Sequence, residues 1–366
     1  MPFEAPAADV PLAPLTTLGV GGAAGWFARA SSAADVAAAH AWADARRLRL
    51  FVLGGGSNLV VADEGFDGLV LQIALGGVST TSRDGETVVR AGAGEPWDAL
   101  VAFTVERGLA GIECLSGIPG TVGGTPIQNV GAYGQEVATV IDAVTVFDRR
   151  ERHTIALAAS ECGFAYRMSR FKAQDAGRFV VCDVTFRLRP GSPTLAYPDV
   201  IDYVSRHGTS SPDVGSVRAA VLAIRARKGM VIDAADPDTR SVGSFFMNPV
   251  VDRATLDRIA SGVPDGADTS RPRVPHFMMD NDTVKIPAAW LIEQSGFARG
   301  HVDGRAGVST KHPLAIINRG GATARDVIRL ARRIRAAVSD RFGIALRPEP
   351  VFVGFDDDPD VQYLRG

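Results

Sequence analysis

The chain has 366 residues, 46% of them hydrophobic and 22% charged, which suits two or three domains with a sizeable core. Lys and Arg number 39 against 41 Asp and Glu, and the net charge of -2 argues against a general nucleic-acid binder, which needs a basic excess. No apolar run approaches a membrane span, and the Pro-rich, acidic start from Met1 to Leu15 lacks a signal peptide's basic and apolar regions.

Taken in chain order, Ser32 to Ala45 reads as a helix, with Ser32 as N-cap and Asp35 three residues on. Arg49 to Leu53 follows as a short strand ending at Gly54, and Gly68 to Ile73 and Thr87 to Ala91 are two more. Pro96 opens a helix striped by Trp97, Leu100, Val101, Thr104 and Val105, with Gly108 as its stop. Val140 to Phe147 is a strand, and the alternation from Val180 to Leu188 predicts a half-buried one. The Ser, Pro, Asp and Gly of Gly191 to Gly215 suggest a boundary or a long loop, and a basic helix follows from Val217 to Lys228. Ser261 to Pro275 reads as a further loop. The clearest helix is capped by Thr323 and ended by Gly343, with Val327, Leu330, Ala331, Ile334, Val338 and Phe342 as its apolar stripe. Its arginines, Arg325, Arg329, Arg332, Arg333 and Arg335, are expected on solvated faces, and Leu346 to Gly354 reads as a strand. The pattern is mixed α+β.

Three cysteines, Cys114, Cys162 and Cys182, form no CxxC pair, and six histidines show no HxxxH or HExxH spacing. A disulfide scaffold, a zinc ribbon and metal catalysis are therefore not expected, and a reducing cytoplasm is the expected compartment.

Glycine carries the strongest signal. There are 40, and four clusters fall within the first 134 residues, as one large ligand lying along backbone would require. Gly54, Gly55, Gly56, Ser57 and Asn58 directly follow an apolar strand. Successive glycine amides there form a nest for a phosphate or pyrophosphate, with Ser57 and Asn58 adding side-chain donors. The same spacing suits a plain turn between two strands. Gly19, Gly21 and Ala24 fit the letters of a Rossmann fingerprint, but Trp26 to Ala28 continues like a strand, so that match is rejected. No GxxxxGK[ST] loop is present. From Leu115 to Gly134, glycines alternate with Ser116, Thr121, Gln128 and Asn129, a composition suited to a planar ring with hydrogen-bonding edges or to a second face of the same diphosphate.

Five segments occur in one order: Gly54 to Asn58, Ile118 to Gly134, Gly163-Phe164-Ala165-Tyr166-Arg167, Gly243 to Pro249 and Pro348-Glu349-Pro350. This set strongly resembles the UDP-N-acetylenolpyruvoylglucosamine reductase family, over nearly the whole chain from about Leu15 to Phe355. The first half is also similar to the FAD domain of vanillyl-alcohol-oxidase (PCMH) type flavoproteins. The resemblance implies an α+β protein: two FAD-binding subdomains (1–76 and 77–232), a substrate-binding domain (233–349) and a C-terminal strand and tail (350–366). It implies non-covalent FAD, NADPH as co-substrate and reduction of UDP-N-acetylglucosamine enolpyruvate to UDP-N-acetylmuramate, with a monomer expected.

By the same resemblance, FAD is held by Gly54, Gly55, Gly56, Ser57, Asn58, Ser116, Gly117, Ile118, Pro119, Gly120, Gly123, Gly124, Gln128, Asn129, Gly131, Ala132 and Tyr133. Arg167 and Glu349 match positions near the substrate carboxylate, Glu349 being partly protonated or arginine-paired, and Ser244 matches the proton donor. Tyr197, Lys228 and Asn248 are the implied substrate-binding residues, Tyr197 marking the subtype with a tyrosine loop. Two other readings remain open at this stage. One is an FAD-linked oxidase of the same fold, although none of the six histidines that would tether a flavin lies in a glycine cluster. The other is a flavin- or UDP-sugar-binding module without turnover.

Overall fold

The computed structural model describes residues 3–207, 211–262, 274–279 and 282–366. The chain divides into two compact units, each assembled from separated stretches. The first comprises Met1–Pro11, Ala23–Gly56 and Phe66–Ile232; the second comprises Leu12–Gly22, Ser57–Gly65 and Asp233–Gly366.

In the first unit, a four-stranded sheet runs in the order Ala7–Pro11, Ala23–Ala30, Phe66–Ile73, Leu50–Leu53. The outer pair is antiparallel and the other two pairings are parallel. Helix Ala33–Ala45 starts in the expected capping box, with Ser32 and Asp35 exchanging side-chain-to-backbone hydrogen bonds. Strand Ala23–Ala30 occupies the place where a dinucleotide fingerprint needs a helix, which bears out the rejection of that motif.

A second, antiparallel sheet of the same unit is ordered His153–Ala158, Ile141–Asp148, Phe179–Pro190, Glu86–Gly92, Val78–Arg83. Phe179–Pro190 lies in its centre, so Val180 to Val184 are buried on both faces, and the expected alternation holds only from Val184 to Leu188. The sheets share a core in which Trp97, Phe186, Leu69 and Leu71 are fully buried. Gly191–Gly215 is not one long loop. Helix Pro198–Arg206 forms there, proline at its first turn, because Val200 and Val204 pack against Val217, Val221 and Ile224 of helix Val214–Arg227.

The second unit contains a sheet ordered Ser241–Ser244, Ala315–Asn318, Ala306–Val308, Val302–Asp303, and a three-stranded sheet of Val250–Asp252, Thr283–Lys285 and Phe277–Met278. Helix Ala324–Phe342 begins at the Thr323–Asp326 capping box and ends at Gly343 (φ 69°), as its sequence dictates. Arg335 departs from expectation. It is buried and donates from Nε to the Leu346 carbonyl at 3.0 Å. The C-terminal strand is shorter than its apolar run, Val351–Val353, because the two prolines before it cannot extend a ladder, and it pairs in parallel with Leu59–Val61. The loop expected over Ser261 to Pro275 lies outside the described residues from 263 to 273. No helix among the described residues is long and apolar enough to cross a membrane.

Candidate active site

The two glycine clusters of the first unit meet. The turn after strand Leu50–Leu53 runs along the Gly120–Thr121 backbone, where a Cβ on Gly55 would stand 2.7 Å from the Gly120 Cα. Four amides of these segments, those of Gly55, Gly56, Ile118 and Thr121, donate to no protein acceptor among the described residues, and Gly56 is buried. Buried backbone donors are almost always paired, so the Gly56 N–H, with the three more open amides of the adjoining segments, leaves donors of the kind that hold an anion. The residues present therefore fit a flavin diphosphate.

Other parts of the expected cradle are committed to the protein. The Ser116 hydroxyl donates to the Glu113 carbonyl at 2.7 Å, and the Gly117 N–H donates to Asp98 Oδ1 at 2.6 Å. Asp98 in turn accepts both arms of Arg218, at 2.6 and 2.9 Å, which ties the segment to two helices. The Gly123 and Gly124 amides donate to Ala93 and Thr121 carbonyls. Asn129, left-handed at the end of helix Gly124–Gln128, spends its amide on Glu136 and on the Ala165 carbonyl. Gln128 accepts from Lys172 Nζ at 2.8 Å.

That Ala165 contact fixes the turn bearing Arg167. Ala165 and Met168 exchange backbone hydrogen bonds, leaving Tyr166 and Arg167 at the tip, with Arg167 at φ +54°. Its guanidinium donates to the Gly131 carbonyl at 2.6 Å and to the Asn129 carbonyl at 3.3 Å. The geometry thus places Arg167 on the segment that carries Gly131, Ala132 and Tyr133.

Tyr133 meets Tyr197 edge to face, ring centroids 5.2 Å apart, and its hydroxyl faces the buried Arg225. Burial pushes both tyrosine hydroxyls above their ordinary range. Lys228, at the end of helix Val214–Arg227, lies 3.4 Å from Asp199 of the neighbouring helix. Tyr133, Tyr197 and Lys228 are therefore clustered around the junction of two helices.

Ser244, Asn248 and Glu349 belong to the second unit, on two paired segments. The Glu349 N–H donates to the Phe245 carbonyl at 2.9 Å, and Met247 N–H donates to the Arg347 carbonyl at 3.0 Å. Asn58 reinforces this pairing by donating to the Glu349 carbonyl at 3.3 Å and accepting from Val351 N–H. Ser244 ends its strand after a bulge at Gly243 (φ +76°), and its hydroxyl has no protein hydrogen-bond partner among the described residues. Asn248 Oδ1 caps the Ala288 N–H at 2.9 Å, so its outward-facing capacity is the Nδ2 group. Sequence reasoning missed Asp98, Glu113, Gln135 and Arg225. Their one signal is a charged or amide residue inside an apolar run, as in Gly111-Ile112-Glu113-Cys114-Leu115.

The family matches and relatives that follow make the chain an FAD-dependent oxidoreductase whose flavin unit lacks a Rossmann fingerprint. Residues 25–154 match the FAD binding domain family, and residues 236–353 match the UDP-N-acetylenolpyruvoylglucosamine reductase C-terminal domain family. The chain is 48% identical to the UDP-N-acetylenolpyruvoylglucosamine reductase of Thermobifida fusca, over 95% of this chain and 98% of that one. It is 46% identical to the enzyme of that name from Mycobacterium tuberculosis, over 94% of each. The crystal structure of the Thermus caldophilus reductase superposes with a TM-score of 0.62 at 27% identity, covering 94% of this chain and 97% of that chain. The chain belongs to the UDP-N-acetylenolpyruvoylglucosamine reductase family.

Proposed function

We propose that the chain reduces the enolpyruvyl group of UDP-N-acetylglucosamine enolpyruvate to UDP-N-acetylmuramate, at the expense of NADPH, in cytoplasmic peptidoglycan precursor synthesis. The observation that carries this reading is the 48% identity sustained over 95% of the chain. FAD, when bound, would supply the two-electron carrier between NADPH and the enolpyruvyl double bond.

The remaining chemistry falls to side chains. Hydride addition at the carbon distal to the carboxylate leaves negative charge on the neighbouring carbon, delocalised into that carboxylate. Arg167 offers a planar fork of donors to it, and its attachment to two backbone carbonyls fixes the fork's position in advance. Glu349, stiffened between Pro348 and Pro350, shares this role in the form expected above, protonated or paired with an arginine, since a bare carboxylate would repel the intermediate. Ser244 supplies the proton to the carbanionic carbon, and its unengaged hydroxyl supports that assignment. The amides of Gly55, Gly56, Ile118 and Thr121 hold the FAD diphosphate, and the rest of the Ser116 to Tyr133 stretch lines the ring system. Tyr197, Lys228 and Asn248 hold the UDP-sugar, Lys228 meeting the diphosphate as a point charge.

Anaerobic reoxidation tests the reading. Enzyme reduced with one equivalent of NADPH regains its oxidised flavin spectrum on addition of the UDP-enolpyruvyl sugar. A reduced enzyme that only molecular oxygen reoxidises is an oxidase of the same fold, and one that NADPH never bleaches is a binding module.

A further inference from the structure

All three polar groups of Thr194 are held by the protein, although it sits in the irregular stretch between strand Phe179–Pro190 and helix Pro198–Arg206. Its N–H donates to Glu113 Oε1 at 2.7 Å, its hydroxyl accepts from Gln135 Nε2 at 2.9 Å, and its carbonyl accepts from Cys114 Sγ at 3.4 Å. These partners flank the glycine-rich stretch from Ser116 to Gly134 on either side, and they are joined to one another. Gln135 Nε2 donates to Glu113 Oε1 at 2.9 Å, and Cys114 N–H donates to Gln135 Oε1 at 2.8 Å.

Glu113 is fully buried, and its second oxygen accepts the Gly111 N–H at 2.7 Å. Among the described residues it pairs with no cation; neutral donors alone offset its desolvation. Closing the two ends of the glycine stretch needs no buried carboxylate, since an apolar contact would do that. A carboxylate has enough lone pairs to close those ends and hold a third segment as well.

Past Thr194 the chain is exposed through Leu195, Ala196, Tyr197, Pro198 and Asp199, and Val200 returns to the core. The Ala196 Cβ lies 2.9 Å from where a side chain on Gly134 would begin, so Gly134 leaves the space this loop rests in. The loop is thus tied at one end by a partly buried three-point attachment and at the other by the exposed Lys228–Asp199 pair at 3.4 Å. Solvent screens the exposed end more than the Thr194 end, whose carboxylate anchor Glu113 is fully buried.

We propose that Glu113 and Gln135 are positioning residues: acting through Thr194, they fix the root of the loop so that Tyr197 is held in register for the UDP-sugar while the Asp199 end gives way. The proposal rests on the reading of Tyr197 as a substrate-binding residue.

A double-mutant cycle on the flavin-loaded enzyme tests it. Thr194→Val keeps the side-chain shape and removes the hydroxyl, and Glu113→Ala removes the main attachment. Each raises KM for the UDP-enolpyruvyl sugar, by about threefold and about tenfold respectively, on the scale of a lost buried hydrogen bond. Equilibrium titration of the oxidised enzyme with UDP-N-acetylmuramate weakens by similar factors. For Thr194→Val, flavin content and the rate of flavin reduction by NADPH without sugar stay within twofold. In a Tyr197→Ala background, Thr194→Val adds nothing further. If its penalty persists undiminished there, or if Thr194→Val leaves KM unchanged, the clamp does not act through Tyr197 and the proposal is overturned. Should Glu113→Ala fail to fold, the Thr194→Val cycle decides alone. An unchanged KM in Tyr197→Ala by itself overturns the substrate reading of Tyr197, and the clamp with it; a raised KM there with additive Thr194→Val overturns the clamp only.

Discussion

The Cα of Gly120 lies 2.7 Å from the point where a side chain on Gly55 would begin, and its carbonyl carbon lies at 3.0 Å. Backbone cannot retreat from a Cβ as a flexible side chain can, so this contact fixes glycine at position 55 whatever lies in the cradle. Gly55→Val is therefore expected to part the two glycine segments. It should lower stability by about 1–3 kcal/mol, as overpacking does, and leave the purified protein flavin-poor. The ratio of flavin to protein absorbance checks this. Gly56, at φ +66°, is the companion test, because valine there is strained by backbone conformation. Stoichiometric FAD in both variants contradicts the cradle assignment.

The three cysteines are free and buried. Burial pushes the Cys114 thiol up to about 12 and those of Cys162 and Cys182 up to about 11. Only the thiolate is nucleophilic. Native protein at pH 8 is therefore expected to consume no disulfide-exchange reagent over minutes, whereas denatured protein releases three equivalents. Fast reaction of any one thiol in the native state sinks this expectation.

The elements that were legible in the sequence are those whose stop signals are local. Ser32 with Asp35, and Thr323 with Asp326 and Gly343, delimit their helices by hydrogen bonds spanning three or four residues. The interior of Phe179–Pro190 was less legible, because core packing buries it on both faces and leaves no alternation to read. Helix Pro198–Arg206 was hidden by flanking Ser, Pro and Gly, since its helical state is set by packing Val200 and Val204 against another helix. In the site, glycine spacing pointed to the two turns that the structure brings together at Gly55 and Gly120. Which amides are spoken for, as Gly117 is by Asp98, depends on contacts from residues 19 positions away, and spacing carries no trace of that.

Arg178 and Asp148 form a close ion pair in the first unit. The Arg178 guanidinium donates to Asp148 at 2.6 and 3.1 Å, and this contact holds the Asp148 carboxyl down at about 2. A carboxyl depressed in the folded state stabilises the fold at every pH above the ordinary carboxylate range. That contribution is lost as pH falls from about 4 towards 2, where the folded protein must also take up the proton. Arg178→Ala leaves Asp148 with its backbone donors only, and is expected to lower the melting temperature at pH 7. The parent's melting temperature should fall more steeply than the variant's between pH 4 and pH 2. Parallel curves over that window mean that the pair does not carry the acid sensitivity.

Ser244 is the sharpest probe of the chemistry, because its backbone setting is independent of its hydroxyl. The strand's end is held by the Phe245 N–H to Leu314 carbonyl bond and by the pairing of Phe245 with Glu349, none of which involves the side chain. Ser244→Ala should therefore fold, bind FAD and be reduced by NADPH at close to the parent rate. Reduction needs only the nicotinamide beside the flavin. Reoxidation by the UDP-enolpyruvyl sugar also needs a proton at the carbanionic carbon, and alanine has none to give. Loss of a positioned acid costs about 10²- to 10⁴-fold, so rapid-mixing traces should show a normal first phase and a second phase slowed by that factor. Ser244→Cys retains a transferable proton and should lie between the two. Turnover of Ser244→Ala above about a tenth of the parent rate would assign the proton to water or to another side chain.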